Sequence, residues 1–161
     1  MRQTLLVTAT IVLLAGLAGG IAEIAWVLAY GAFAGVSAAD VAREVTASVF
    51  PGAANAPAGL ALGIGIHLAL SIALAFAFVA LLQDFLQDGA GTIAIALGAL
   101  AGVWAVNFLV VLPLVNPRFV TLMPYAATFL SKALFGAAMG TVLARNAPRP
   151  SCFPECRFGR S

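Results

Sequence analysis

The stretch Gly16-Leu-Ala-Gly-Gly-Ile-Ala-Glu-Ile-Ala-Trp-Val-Leu-Ala-Tyr30 lies in an apolar run where Glu23 is the only charged residue between Arg2 and Asp40. On a helix, residues three and four positions apart share a face, so Gly16, Gly20 and Glu23 fall on one stripe. Small residues let a second helix come close, and Glu23 brings a carboxyl group into the contact. A carboxylate facing lipid costs several kcal/mol, so we expect Glu23 to face protein or a water-filled cavity.

The composition is typical of a membrane protein. Of the 161 residues, 63% are hydrophobic and 9% are charged, and the mean hydropathy is +1.07. Soluble domains carry about 25% charged residues. Four long apolar segments occupy nearly the whole chain, so we expect no separate soluble domain. Basic and aromatic residues do not alternate anywhere, so we do not expect nucleic acid as a partner.

The apolar segments predict an all-α polytopic membrane protein with four transmembrane helices in an antiparallel bundle. We expect the first segment to be retained, because it runs past the usual length of a signal-peptide core. A short interfacial helix is predicted over about 37–50, where Ser37 can cap its start and Pro51-Gly52 can end it. Residues 1–145 form the predicted bundle and residues 146–161 a basic cytoplasmic tail. The predicted transmembrane segments are about 5–33, 60–82, 92–112 and 121–144.

Arginine residues predict the orientation in the membrane. Four spans place both termini on one side, and that side carries more arginines than the other, so we expect both termini in the cytoplasm. The arginines are Arg2, Arg145, Arg149, Arg157 and Arg160 on the terminal side, and Arg43 and Arg118 on the other side.

Each predicted span carries one strongly polar side chain, and the four lie in a common layer on the order of 10 Å thick. They are Glu23, His67, Asn107 and Lys132. One interpretation is a functional site in which Glu23 takes up and releases a proton. Its alternative is a structural ion pair of Glu23 with Lys132, hydrogen-bonded by His67 and Asn107, which fixes the faces that pack.

Glycines at spacing four predict close helix packing. One four-helix bundle does not need every such face internally, so we expect some of them to contact other membrane helices. The predicted packing residues are Gly16, Gly20, Gly59, Gly63, Gly98, Gly102, Gly136 and Gly140.

Cofactors and metals are not expected. The single histidine excludes a haem held by two histidines of this chain. Cys152 and Cys156 form one Cys-x-x-x-Cys motif, and a zinc site would need two further ligands. We expect them to be free thiols in a reducing cytoplasm.

The sequence lacks a nucleophile motif, a cofactor motif and a metal set, so we do not expect an enzyme. The glycine-rich faces favour a non-catalytic subunit or accessory protein of a membrane complex. The alternative is a small proton-coupled transporter or channel that works as a homo-oligomer through Glu23. Expected partners are the lipid bilayer and either other membrane-protein helices or a second copy of the chain.

Three motifs resemble those of uncharacterised four-helix inner-membrane proteins of bacteria. They are Gly63-Ile-Gly-Ile-His67, Gly102-Val-Trp104-Ala-Val-Asn107 and Val-Leu-Pro113, and the similarity covers roughly Gly59 to Leu143. This resemblance implies a multi-pass protein of the bacterial inner (plasma) membrane. The first span is also distantly similar to that of small multidrug antiporters, whose first-helix glutamate Glu23 would match, although those proteins are shorter and lack a loop like that over 36–59.

Overall fold

The computed structural model describes residues 2–86 and 89–146. The described residues are mostly helical and contain no strand. The α-helices are α1 (Arg2–Ala34), α2 (Ala38–Val49), α3 (Gly59–Leu82), α4 (Ala90–Val106), α5 (Leu112–Val115), α6 (Pro117–Leu122) and α7 (Tyr125–Asn146). Four stretches are long and apolar enough to cross a membrane: Ala9–Ala34, Gly59–Phe85, Ala90–Val115 and Tyr125–Asn146. The all-α fold with four potential spans confirms the predicted fold class.

The four long helices are not arranged as a closed square. α1 and α7 pack along each other, α3 packs on α1, and α4 packs on α7. α3 and α4 are therefore the outer members of the bundle and are not among the helix pairs that pack extensively. α2 lies against the first part of α3 and also contacts α6.

The bundle is packed tightly at one end. In this terminal half, which holds the start of α1 and the end of α7, all four long helices contribute to one apolar core. Its alanines Ala15, Ala75 and Ala96 have no exposed surface and surround the fully buried ring of Phe135. Small side chains here let the helix axes converge. In the other half, which we call the loop half, a smaller apolar cluster of Val41, Met123 and Ala127 joins α2 to the start of α7.

The third span differs from a regular α-helix. A π-helical segment, Asn107–Val111, joins α4 to α5, so the helix continues past the predicted end at residue 112 to Val115. Pro113 explains this wide turn, because proline lacks the N–H of a regular turn and its ring collides with the carbonyl group four residues earlier. The π-helical turn places Asn107 at the point where the helical register changes.

The fourth span begins later than the sequence predicts. Thr121 belongs to the short helix α6, and the chain turns at Met123, whose backbone is extended. Pro124 precedes α7, and its carbonyl oxygen accepts the Thr128 N–H at 3.1 Å. The interfacial helix α2 starts as its sequence suggests, since the Ser37 hydroxyl oxygen accepts the Asp40 N–H at 3.2 Å.

Three of the predicted glycine pairs lie at close helix contacts. A Cβ at Gly16 or Gly20 would meet Ser71 of α3 within 3 Å. Gly63 touches the Ala42 carbonyl group of α2, and Gly59 lies against the backbone at residues 53–54. Gly136 and Gly140 approach α4 at Ala96, Leu97 and Ile93.

The fourth pair, Gly98 and Gly102, has no such contact within the described chain. No atom lies within 4 Å of a Cβ at either position, so neither glycine packs helices within the described chain. The physical reason is their angle on α4. Ala96 and Leu100 are buried toward the core, and residues two positions away point to the opposite side of a helix.

The predicted tail falls outside the described residues from position 147 onward. Cys152, Cys156 and the last three arginines therefore lie in a part of the chain that the structure does not describe.

Candidate functional site: an intramembrane cavity

Glu23 is the centre of a polar cluster between α1 and α7. Glu23 is only 3% exposed. The Lys132 ammonium group donates to Oε2 at 2.8 Å, and the Ser131 hydroxyl group donates to Oε1 at 3.0 Å. Both oxygens of the carboxylate are thus hydrogen-bonded, as a buried charge requires.

His67 reaches the same cluster from α3. Its Nε2 lies 3.2 Å from the Gly20 carbonyl oxygen and 3.8 Å from Glu23 Oε2. A carbonyl oxygen only accepts, so Nε2 carries the proton in this contact. The ring therefore presents an N–H toward Gly20 and lies beside the Glu23 carboxylate.

The sequence prediction that these side chains share a layer is met by direct contacts for three of them. Glu23 lies between Lys132 and His67, which agrees with the ion pair of the structural interpretation. Asn107 is the exception. It is half-buried, and its side chain forms no hydrogen bond to any other described residue.

All four residues nevertheless line one cavity in the loop half of the bundle. Its volume is about 840 Å³, and its walls come from α1, α3, the end of the third span and α7. α2 forms its roof, with Ala39, Ala42 and Val45 facing inward. Apart from the polar cluster, the walls are mostly aliphatic or aromatic. The cavity opens between α3 and the third span, which are not among the helix pairs that pack extensively.

The roof is held by a second polar cluster that the sequence analysis missed. The Arg118 guanidinium group forms an ion pair with the Glu44 carboxylate, with Nε 3.1 Å from Oε1. Asn116 Nδ2 donates to Glu44 Oε2 and to Ser48 Oγ, both at 3.1 Å. Glu44 is 8% exposed. These bonds fasten α2 to the segment that connects the third and fourth spans.

The sequence pattern did not predict that Glu44 and Ser131 belong to buried polar clusters. Glu44 follows no helix-packing motif of α2, and it is buried because α6 packs against that side of the helix. Ser131 was also missed. Its neighbour Lys132 was a signal, since two adjacent polar residues within an apolar span can serve one buried partner.

Metal ligands do not gather in the described part of the chain. No three His, Cys, Asp or Glu side chains lie close together within residues 2–86 and 89–146. The donor groups of the cavity instead suit an organic or anionic ligand, because they are an ammonium group, a hydroxyl group, a ring N–H and an amide.

Comparison of the chain with protein-family models, with curated protein sequences and with solved structures found no match. The assignment of a function therefore depends on the cavity and its chemistry.

Proposed function

We propose that the protein is a small membrane transporter that binds an amphipathic molecule in the cavity and couples its movement to the protonation of Glu23. The observation that carries this proposal is a cavity of about 840 Å³ with apolar walls and one polar cluster. Binding sites for small molecules have volumes of about 300–1,000 Å³, mostly apolar walls and a few converging polar groups.

Glu23 is suited to coupling proton uptake to ligand binding, because its protonation state determines whether Lys132 is held in the ion pair. The charged or titratable side chains that face it are His67 on α3 and Lys132 on α7. The polar side chain that α4 and the π-helical segment contribute to the cavity is Asn107, which is neutral. No charged residue of α2 lines the cavity. A charged Glu23 holds Lys132, whereas a protonated Glu23 releases it.

The structural interpretation explains the ion pair but not the space beside it. An ion pair that only fixes packing needs no cavity, since close packing is the normal condition of helix contacts. The cavity also lies within one chain, so this proposal does not depend on a site formed between two copies.

Binding of three probes tests the proposal. Decanesulfonate, decyltrimethylammonium and decanol share an alkyl chain and differ in charge. We expect saturable binding of at least one of them to protein in lipid nanodiscs, above the partition into empty nanodiscs. Ala73→Phe should block it, because Ala73 lines the cavity. Ala69→Phe is the matched control, since Ala69 is also exposed on α3 but does not line the cavity.

Transport is tested with the Glu23→Gln variant in liposomes that contain a pH-sensitive dye. The wild-type protein should change the internal pH when the bound probe is added outside. The variant should fold and bind but leave the internal pH unchanged. Absence of saturable binding of all three probes, or binding that Ala73→Phe leaves intact, would refute the proposal.

The exposed face of Gly98 and Gly102 favours a second candidate function, that of an accessory subunit in a membrane complex. Nothing in the described chain contacts these two glycines. Together with Val103, Val106 and Val111, Gly102 borders a shallow groove on the outside of the third span. A partner helix can approach closely at such a glycine pair.

Gly98→Leu tests this candidate after purification in mild detergent and chemical cross-linking. Loss of a co-purifying chain in this variant supports the accessory role. Gly65→Leu is the control, because Gly65 also has open space around it but lies on α3. A wild-type protein that purifies as a lone monomer, without a cross-linked partner, would contradict this candidate.

We further propose the bacterial inner membrane as the location, with both termini in the cytoplasm. The arginine bias supports this orientation, and it places α2 and the loop half toward the outside of the cell. Labelling of Cys152 with a membrane-impermeant maleimide tests it. We expect labelling in inverted vesicles and none in intact spheroplasts, and the reverse pattern would overturn the orientation.

A further inference from the structure

The groups that surround Glu23 are nearly all hydrogen-bond donors. Lys132 and Ser131 donate to the carboxylate, and the His67 Nε2–H, which is directed at the Gly20 carbonyl oxygen, lies 3.8 Å from it. We infer that the transported molecule is an amphipathic anion that replaces the Glu23 carboxylate at Lys132 and moves together with one proton. This inference rests on the proposed transport function and specifies its substrate class.

Among the residues that the structure describes, Lys132 is the only lysine or arginine that lines the cavity. Its ammonium group lies 5.4 Å from the centre of the Phe135 ring, and the side chain is 16% exposed. The long stem can therefore turn toward the open space when Glu23 no longer holds it. An ammonium group without a counter-ion is unfavourable in an apolar cavity, so a second anion is attracted.

Asn107 supplies a further donor from the third span, which packs beside α7. Its amide group lines the cavity and forms no hydrogen bond to any described residue. The amide N–H₂ can donate to an anionic headgroup that also contacts Lys132. A headgroup placed between the two residues would be held from α7 and from the third span, which the hydrogen bond from Trp104 to Thr128 also joins about one turn away.

The apolar walls fit the rest of such a molecule. Phe108, Phe119 and Met123 line the side toward α6, and Leu70 and Leu74 line the side toward α3. An alkyl or aromatic tail buries apolar surface against these residues. The headgroup meanwhile stays at the polar cluster.

Charge is balanced in the proposed cycle. In the empty state Glu23 is negative and Lys132 is positive, so the pair is neutral. Glu23 then takes one proton from water, and the anion takes its place at Lys132. The loaded state is again neutral. On the other side of the membrane, the proton leaves Glu23 and the anion leaves Lys132, so both are released there. One proton and one singly charged anion therefore move in the same direction without net charge transfer.

A cationic substrate fits these contacts less well. It would have to displace Lys132 from Glu23 and would leave two cations beside one carboxylate in an apolar cavity. Repulsion between like charges opposes that arrangement.

The direction of the pH change in liposomes distinguishes the two substrate classes. Decanesulfonate stays anionic at every working pH and so cannot carry a proton by itself. Added outside, it should acidify the interior of liposomes that contain the wild-type protein, and clamping the membrane potential at zero should not alter the rate. Decyltrimethylammonium should cause no change, whereas exchange for protons would make the interior alkaline.

Binding in nanodiscs tests the residues. For the wild type, decanesulfonate affinity should rise as the pH is lowered. Glu23→Gln should bind it at neutral pH as tightly as the wild type does at acidic pH, with no further dependence on pH. Lys132→Met should weaken binding roughly tenfold or more, and Lys132→Arg, which keeps the charge, should retain it.

Failure of this inference differs from failure of the transport proposal. Saturable binding of decanol or decyltrimethylammonium in preference to decanesulfonate would overturn the anion inference and leave the transporter intact. Decanesulfonate binding at neutral pH that Glu23→Gln leaves unchanged would also overturn the anion inference. If Lys132→Met does not fold, the pH dependence of the wild type and the Glu23→Gln comparison still decide the question.

Discussion

Removing Lys132 tests how strongly the ion pair stabilises the bundle. Lys132→Met keeps most of the side-chain volume but leaves the buried Glu23 carboxylate without its cation. Breaking a buried ion pair in this way costs about 3–5 kcal/mol. Here Ser131 still donates to the carboxylate, and the His67 ring stays 3.8 Å from it, so part of the polar environment remains. We therefore expect the free energy of unfolding to fall by about 2–3 kcal/mol.

The opposite single variant should cost less. Glu23→Gln keeps an acceptor for Ser131, and the freed Lys132 ammonium group stays near the Phe135 ring. We expect a loss of about 1–2 kcal/mol. The double variant has neither charge, so its stability should lie within about 1 kcal/mol of the wild type. The two substitutions are thus expected to be strongly non-additive, with a coupling of about 3 kcal/mol.

Unfolding by a denaturing detergent in mixed micelles measures these differences. Tryptophan fluorescence reports the separation of α7, because Trp26 donates to the Ala127 carbonyl oxygen and Trp104 donates to the Thr128 hydroxyl oxygen. Ser131→Ala is the control for loss of one hydrogen bond and should cost about 0.6 kcal/mol. If the double variant loses as much stability as the two single variants together, the pair is not a coupled unit and the reasoning fails.

Two further predictions concern the roof of the cavity. Gly63→Ala should separate α2 from α3, because a Cβ there collides with the Ala42 carbonyl group. Hydrogen exchange of the α2 amides should become faster, and Gly65→Ala, which meets open space, should leave it unchanged. Asn116→Ala removes donors to Glu44 and the cap of α6, so the free energy of unfolding should fall by about 2 kcal/mol. Arg118→Gln should cost less than about 1 kcal/mol, because the Arg118 side chain is 81% exposed and exposed ion pairs contribute little. Equal losses for Asn116→Ala and Arg118→Gln in the micelle titration would contradict this assignment.

The sequence was sufficient to predict the helices, because length and apolarity determine them directly. A run of about 20 apolar residues is long enough to span a bilayer, and the Ser37 cap follows from the hydrogen-bonding capacity of its hydroxyl group. The depth of a polar residue also follows from its position along a span. Counting residues along each span therefore places Glu23, His67 and Lys132 at a similar depth, and the three side chains lie side by side in the structure.

Contacts around the bundle axis were not predictable in the same way. Helical periodicity gives the face on which a residue lies, but not the helix that this face meets. The sequence did not show that α3 and α4 diverge, and so it did not predict the cavity. Gly98 and Gly102 have the same spacing as Gly136 and Gly140, yet only the second pair packs within the chain.

The position of the polar cluster suggests how a ligand in the cavity would act on the bundle. The terminal half is closed by alanines and by Phe135, and the loop half is held open beneath α2. Glu23 and Lys132 lie where these halves meet, and their hydrogen bond joins α1 to α7. Phe135 is one helical turn from Ser131 and packs against Gly19 of α1. Separating the pair would therefore loosen the α1–α7 contact directly above the closed half. The ion pair is thus one of the contacts through which a ligand in the cavity could act on the closed half, as alternating access through this bundle would require.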